Sequence, residues 1–209
     1  MLKKPETRPL FGKRIAVTRA RSQASSLVSR LSELGASVIE APAIKIRPVE
    51  DLSLLDEAIE NLDRYHWLVF TSVNGVDSFF SRLKEHGKDA RALGGAGTAA
   101  IGPATAARMK ENGVRADIIP ESYRAESVVS AFADLDMAGK RVLLPRAEGA
   151  RAVLPEELSK MGARVDEIIS YRAVQAEDRT QELVESLKAG AVNMITLPAL
   201  PRCATSWHC

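Results

Sequence analysis

Cysteine is nearly absent from this chain. Among 209 residues only Cys203 and Cys209 occur, both within the last seven. A disulfide framework and a thiolate metal site are therefore excluded for the first 202 residues. The three histidines, His66, His86 and His208, are far apart and show no ligand spacing. We therefore expect no resident metal ion, and we interpret the histidines as surface or packing residues.

Long hydrophobic runs and an excess of one charge are also missing. No apolar run approaches the roughly 20 residues of a transmembrane helix, and the first residues lack the apolar core of a signal peptide. Lys and Arg number 29 against 27 Asp and Glu, and this net charge of +2 is too small to indicate a nucleic-acid-binding surface. We therefore expect a cytoplasmic protein with neither a membrane nor a nucleic acid as its partner.

Strand and helix patterns alternate along the chain. A β-branched run at 14–18 and a polar turn at 19–25 precede an amphipathic segment at 24–34, which Gly35 ends. We predict further helices at 52–62, 127–132, 154–161 and 180–188, and further strands at 67–70, 116–119, 141–144, 165–174 and 191–196. This alternation is typical of an α/β fold with parallel sheets.

Two extended segments, at 37–47 and 165–175, are unusually long for strands of such a sheet. One segment leaving a lobe and one returning would form a two-stranded linker between two α/β lobes. We therefore predict a lead-in at 1–12, a discontinuous first lobe at 13–45 and 174–209, and a second lobe at 46–173 inserted into the first.

Two strand–loop–helix units between residues 67 and 113 form the main candidate site. In the first, Thr71 and Ser72 follow an apolar run; in the second, Thr105 follows Gly102 and Pro103 at the start of a helix. Free backbone N–H groups and partial positive charge at helix N-termini favour carboxylate or phosphate binding. The hydroxyls could instead only cap their helices, since Ser and Thr are common caps.

Five motifs carry a family resemblance. In chain order they are RIAVTRA at 14–20, FTSVNGV at 70–76, IGPATA at 101–106, LLPRAEGARAVLPEEL at 143–158 and IISYRAV at 168–174. Each motif alone is weak, but their order, spacing and placement on strands and helices resemble the uroporphyrinogen-III synthase family. The resemblance extends from about Gly12 to Thr196.

The resemblance implies two α/β lobes joined by a two-stranded linker, and an enzyme without a cofactor. The implied substrate is the linear tetrapyrrole hydroxymethylbilane, which is cyclised to uroporphyrinogen III with inversion of ring D through a spiro intermediate and loss of water. The enzyme is expected to be a monomer. The lead-in at 8–14 also resembles the junction of chains in which a uroporphyrinogen methyltransferase precedes the synthase.

The resemblance also assigns roles to single residues. Tyr171 would help the hydroxyl group of the substrate to leave; the alternative is a tyrosine that only packs along a linker strand. The predicted substrate-binding residues are Thr71, Ser72, Gly102, Pro103, Ala104, Thr105, Arg146, Arg151 and Arg19. For the arginines the alternative is a solvated surface.

The last thirteen residues, LPALPRCATSWHC, depart from the family pattern. The family has a second F-T-S unit here. One set of codons that encodes this tail yields FTSSSTVRNFVAL after a single nucleotide is restored. We therefore expect a frameshifted, truncated synthase whose first lobe is incomplete at its C-terminus and whose activity is impaired.

Two alternatives from other classes remain open. One is a non-catalytic two-lobe binder of an anionic small molecule, which would bind the tetrapyrrole without forming the type III isomer. The other is a Rossmann-type nucleotide enzyme, which would have to show saturable nucleotide binding. The glycine-rich segment at 94–97 does not support the second alternative, because it precedes a strand whereas a dinucleotide fingerprint follows one.

Overall fold

The computed structural model describes residues 8–176 and 180–197. The chain divides into two compact units. The terminal unit comprises the residues up to Ile46 and those from Val174 onward, and the central unit comprises Arg47–Ala173. The central unit is therefore inserted into the sequence of the terminal unit. Both crossings fall within strands, β3 (Ile44–Pro48) and β7 (Arg164–Gln175).

The terminal unit contains a three-stranded parallel sheet of order β2-β1-β8. Its elements besides β3 and β7 are β1 (Arg14–Val17), α1 (Arg21–Glu33), β2 (Ser37–Glu40), α7 (Thr180–Lys188) and β8 (Met194–Thr196). Strands β1 and β8 join opposite ends of the chain. The Thr18 hydroxyl donates to the carbonyl oxygen of Thr196 at 2.8 Å, and the Arg14 amide donates to the Asn193 side chain at 2.8 Å.

The central unit is built on a five-stranded sheet of order β3-β7-β6-β4-β5. Strand β4 pairs in parallel with β5 and β6, and β6 pairs in parallel with β7. The remaining α-helices and strands of this unit are α2 (Ser53–Glu60), β4 (Trp67–Phe70), α3 (Val73–Glu85), β5 (Gly97–Ala100), α4 (Pro103–Glu111), α5 (Ala125–Phe132), β6 (Arg141–Ala147) and α6 (Val153–Lys160).

Apolar side chains cover both faces of this central sheet. On one face Phe70, Phe79 and Phe80 form a buried aromatic cluster with ring centroids 5.3–6.1 Å apart. On the other face Phe132 packs edge-to-face against Trp67 at 4.8 Å. Successive side chains of a strand point to opposite faces, so strands covered on both sides must be apolar throughout. The sequence WLVF of β4 has this composition.

The segment at 116–119 is not a regular strand, contrary to our prediction. It forms a single parallel bridge, between Ile118 and Ala99. The amides of Asp117 and Ile118 both donate to the carbonyl of Thr98, and the Asp117 carboxylate accepts from the Thr98 amide at 2.7 Å. The Asp117 side chain thus accepts a hydrogen bond from a backbone amide that would otherwise bond to a carbonyl of the neighbouring strand. This explains why the β-pairing does not continue.

Predicted helix boundaries also differ from the observed ones, and α5 begins at Ala125 instead of 127. Helix α1 begins at Arg21, inside the predicted turn at 19–25. Ala20 makes no side-chain cap hydrogen bond, so no capping residue in the sequence indicates this start. Helix α2 ends at Glu60, and a 3-10 turn at Leu62–Arg64 replaces its predicted last residues.

The described part of the chain contains no helix with the length and hydrophobicity of a membrane span. The predicted frameshift concerns the chain after Thr196, and beyond Leu197 this part lies outside the described residues.

Candidate functional site

The two predicted loops lie side by side at the carboxyl edge of the central sheet. Strands β4 and β5 are paired neighbours, with Phe70 opposite Ala100. Each is followed after two residues by a helix, α3 or α4. Both helix N-termini therefore lie at one sheet edge, which is where ligands of open α/β sheets usually bind.

Ser72 is the N-cap residue of α3. Its backbone is extended, and its Oγ accepts a hydrogen bond from the Gly75 amide at 2.9 Å. The capping interpretation of Ser72 is therefore correct, whereas its contact with substrate stays a prediction. Thr71, which precedes the cap, is half-buried. Within the described part of the chain, no protein group accepts or donates a hydrogen bond at its hydroxyl.

Tyr171 lies at a β-bulge in β7. Arg146 pairs with Ile169, but the next residue, Ala147, pairs with Tyr171, so Ser170 is the extra residue. In a regular strand neighbouring side chains point to opposite faces. Here Ser170 and Tyr171 are both buried, whereas Ile169 is 45% exposed. The bulge therefore turns the Tyr171 side chain inward, as bulges beside functional sites often do.

The hydroxyl of Tyr171 lies 2.8 Å from Ser72 Oγ. That serine oxygen already accepts from the Gly75 amide, so its own proton can point towards Tyr171 Oη. In this arrangement the serine donates to the phenol, and the phenol proton remains available to a ligand. The pair thus joins the carboxyl end of β4 to Tyr171 of β7, which pairs with the last residue of β6.

Burial raises the pKa of the Tyr171 phenol above its ordinary value. Hydrogen bonds with Ser72 and Asn74 and the positive charge of Arg146 oppose this rise. The phenol is consequently protonated at neutral pH. The same three groups would stabilise the phenolate that forms when the phenol gives its proton away.

Close packing holds the start of α3 against this edge. A Cβ atom at Gly75 would lie 3.1 Å from the carbonyl oxygen of Pro145 and 3.3 Å from Ser72 Oγ, so a larger residue would push the helix outward. One turn later, Ser78 Oγ donates to the carbonyl oxygen of Ser170 at 2.7 Å. The helix that carries Ser72 is therefore bonded directly to the bulge that carries Tyr171.

Arg146 is buried, with 4% of its surface exposed. Its Nη1 donates to Glu167 Oε1 at 2.7 Å and its Nη2 donates to the carbonyl oxygen of Arg151, while its buried Nε has no hydrogen-bond partner among the described residues. Burial lowers the pKa of the guanidinium, and the charge of Glu167 opposes this effect. Arg146 is thus a buried cation near Tyr171 and not part of a solvated surface.

Arg151 differs from Arg146, because Arg146 lies within β6 whereas Arg151 lies in the loop that follows this strand. Its side chain is 61% exposed, and its Nη1 lies 3.9 Å from Glu126 Oε1. Such a distant and solvated pair contributes little to stability. The side chain could therefore exchange this carboxylate for one on a ligand.

At the second helix, Gly102 is the N-cap of α4 and Pro103 is its first residue. The N-cap interpretation of Thr105 was therefore wrong. Thr105 lies in the first turn and is 4% exposed, so its hydroxyl is turned inward. Ala104 is exposed at the same helix end. Whether these residues contact substrate stays a prediction, as it does for Thr71 and Ser72.

Arg19 belongs to the terminal unit, where it follows β1 and is exposed.

The sequence interpretation missed Asn74, Glu167 and Ser170. A break in the alternation of apolar residues at Ile168–Tyr171 was the available signal for the bulge, but it does not show which residue is the extra one. The described residues contain no group of three or more His, Cys, Asp or Glu side chains that could hold a metal ion.

The fold and the polar residues at the carboxyl edge of the central sheet define an α/β protein of two units. Its candidate site lies where the parallel strands of the central sheet end. A family model described as uroporphyrinogen-III synthase HemD matches residues 25–199, and the chain belongs to this family. The predicted family membership and fold class are thereby confirmed.

Several relatives support this assignment. The chain is 34% identical over 189 residues to the uroporphyrinogen-III synthase of Synechococcus elongatus, a match that covers 90% of this chain and 71% of that protein. It is also 34% identical to the putative uroporphyrinogen-III synthase of Methanothermobacter thermautotrophicus, with 87% and 72% covered. The match to the porphyrin biosynthesis protein HemD of Ruminiclostridium josui, at 30% identity, covers 90% of this chain but only 38% of that protein.

Solved structures agree on the fold. A mutant uroporphyrinogen III synthase from Thermus thermophilus aligns with a TM-score of 0.59 at 19% identity, covering 88% of this chain and 71% of that one. Identity at this level supports the fold alone.

Proposed function

We propose that this chain acts as a uroporphyrinogen-III synthase. It would cyclise hydroxymethylbilane to uroporphyrinogen III, invert ring D and release water, and no step would require a cofactor. Family membership supports the reaction, and the hydrogen bond between Tyr171 and Ser72 at the carboxyl edge of the central sheet is the observation that carries the site. The binding-only alternative is not favoured, because the relatives carry synthase names.

Tyr171 would act as the general acid. The leaving hydroxyl of the terminal methylene needs a proton to depart as water, and the protonated, buried phenol supplies it. Ser72, Asn74 and the charge of Arg146 stabilise the resulting phenolate. The overall conversion neither consumes nor produces protons, so the phenolate recovers a proton later, when the macrocycle is closed. Tyr171 therefore returns to its starting state without an external acid.

The eight carboxylates of the substrate would be bound mainly by neutral donors. The N-termini of α3 and α4 present backbone N–H groups, and Thr71 adds a hydroxyl. Arg151 supplies an exposed cation in the loop that follows β6. Holding the flexible chain in one conformation directs closure to the inverted isomer. We include Arg19 among the candidate contacts because it follows a strand end of the terminal unit.

Other expectations about this function stay predictions. These are the domain bounds taken from the sequence, a cytoplasmic location, a monomeric state, fusion or association with a uroporphyrinogen methyltransferase, and reduced activity of a truncated chain.

Incubation with freshly prepared hydroxymethylbilane tests the proposal. After oxidation, the type I and type III porphyrins are separated chromatographically. Spontaneous closure gives type I, so type III product that increases with protein concentration supports the proposal. Only type I product at every protein concentration would contradict it, and tetrapyrrole binding without type III product would favour the binding-only alternative.

A further inference from the structure

Tyr123 lies against the N-terminus of α4. Its side chain is 63% exposed although it contacts the protein closely. A Cβ atom built on Gly102 would lie 2.7 Å from Cδ1 and 3.1 Å from Cγ of the Tyr123 ring. One part of the ring therefore rests on the Gly102 backbone, and the rest faces solvent at the carboxyl edge of the central sheet.

Gly102 is needed for space and not for its backbone conformation. Its φ of −177° and ψ of 178° are extended values that any residue adopts. The three atoms nearest to its added Cβ all belong to the Tyr123 ring. An N-cap position otherwise favours Ser, Thr, Asn or Asp, whose side chains bond the helix end. The glycine thus leaves this cap without a side chain and makes room for an aromatic ring.

Hydrogen bonds hold the segment that carries Tyr123. Ser122 Oγ lies 2.5 Å from Ser127 Oγ, and the Arg124 amide donates to the carbonyl oxygen of Ser122 at 2.9 Å. The first bond joins Ser122 to α5, and the second joins the two neighbours of Tyr123 to each other. The backbone that carries the ring is therefore held beside the N-terminus of α4, which lowers the cost of ordering this segment on binding.

We propose that Tyr123 is a substrate-binding residue whose ring packs against a pyrrole ring of the tetrapyrrole. The inference rests on the function proposed above and adds a contact to it. Carboxylates of the substrate, bound at the N-terminus of α4, would hold the substituents of that pyrrole in place. The contact with Tyr123 would set the orientation of the pyrrole plane. Aromatic rings stack offset or edge-to-face, a geometry that hydrogen bonds to flexible carboxylate arms do not impose. The contact would favour the conformer from which inverted closure occurs.

Kinetics of three variants test the role of the ring. In Tyr123→Phe the ring is retained, and KM for type III formation should stay within about two-fold of the wild-type value. In Tyr123→Leu and Tyr123→Ala the ring is lost, and KM should rise about two- to twelve-fold, the range expected for one aromatic pair, with kcat little changed. Wild-type KM in Tyr123→Leu would overturn the inference. Equal losses in Tyr123→Phe and Tyr123→Ala would also overturn it, because the hydroxyl would then carry the binding.

A double-mutant cycle tests the contact with Gly102. Gly102→Ala should raise KM because its Cβ displaces the ring, and it should add little in the Tyr123→Ala background. A full additional effect in that background would contradict the proposed packing. Fluorescence titration with uroporphyrin separates this inference from the proposed function, since it needs no turnover. If the wild type forms no type III isomer, the function fails, and the inference is then decided by whether Tyr123→Leu weakens uroporphyrin binding.

Discussion

The central and terminal units differ in how their sheets are covered. In the central unit four phenylalanines, Phe70, Phe79, Phe80 and Phe132, are fully or almost fully buried on the two faces of the sheet. In the described part of the terminal unit the buried cluster consists of small or branched residues, Ala16, Ile39 and Ala41.

Strands β8 and β7 differ in the same direction. Among the described residues β8 is an edge strand of the terminal sheet, and its Met194 and Ile195 are 56% and 41% exposed. Strand β7, which carries Tyr171, is paired on both sides by its neighbours in the central sheet. A catalytic phenol must be held within a fraction of an ångström. The proposed catalytic residue Tyr171 is accordingly buried on a strand that is paired on both sides.

The largest expected effect concerns the aromatic core. Phe79→Ala removes a fully buried ring between Phe70 and Phe80, and we expect a loss of about 3–5 kcal/mol in the free energy of unfolding of the central unit. Urea denaturation followed by the fluorescence of Trp67, in a Trp207→Phe background, measures it. The control Leu187→Ala, at a 44% exposed position of the terminal unit, should change the stability of that unit, followed by hydrogen exchange at the amides of β8, by less than about 0.5 kcal/mol. Equal losses in both variants would abolish the contrast between the units.

The buried ion pair comes next. Arg146→Met keeps the size of the side chain but leaves Glu167 without its partner. Because Glu167 is 37% exposed and partly solvated, we expect a loss of about 1–3 kcal/mol, less than for a fully buried pair. Adding Glu167→Gln should recover part of this loss. Unchanged stability of Arg146→Met in thermal or urea unfolding would show that the pair does not hold β6 to β7.

A smaller effect is expected where the terminal unit joins its two chain segments. Thr18→Val preserves shape but removes the hydroxyl that donates to Thr196, and we expect a loss of about 0.5–1.5 kcal/mol. Hydrogen exchange at the amides of β8 should accelerate in this variant, while exchange at β4 stays unchanged. Faster exchange in β4 would show that the two units unfold together.

The smallest effect depends on pH. A bidentate hydrogen bond from Arg82, opposed by partial burial and assisted by His86, lowers the pKa of Asp56 from 3.8 to about 2. A carboxyl group with a depressed pKa in the folded state stabilises the fold above its unfolded pKa, and the contribution is lost as pH falls through the folded value. Asp56→Asn should therefore cost less than about 1 kcal/mol at pH 6, because the pair is partly exposed. This difference should decrease as pH falls from 3.8 towards about 2 and vanish below the latter value, and one that persists there would exclude the ion pair as its cause.

The alternation of strands and helices was readable from periodicity alone, because both patterns are local. The capping role of Ser72 was also readable, since a cap needs only neighbouring residues. The bulge at Ser170 was not, because it depends on the register between β6 and β7, whose paired residues are 23 to 24 positions apart. The burial of Arg146 depends on the same pairing, which brings Glu167 beside it. From the sequence alone, Arg146 therefore could not be distinguished from an exposed arginine, because the pairing of β6 with β7 is needed to show its burial.

Tyr171, held by Ser72, is the residue proposed to donate the proton that releases the hydroxyl group of the substrate. The most direct test is the initial rate of type III formation by Tyr171→Phe compared with the wild type at pH 7–8. We expect the rate to fall about 10²- to 10⁴-fold, the usual contribution of a general acid, while urea denaturation shows a folded central unit. A Tyr171→Phe variant that forms the type III isomer at the wild-type rate would contradict the account.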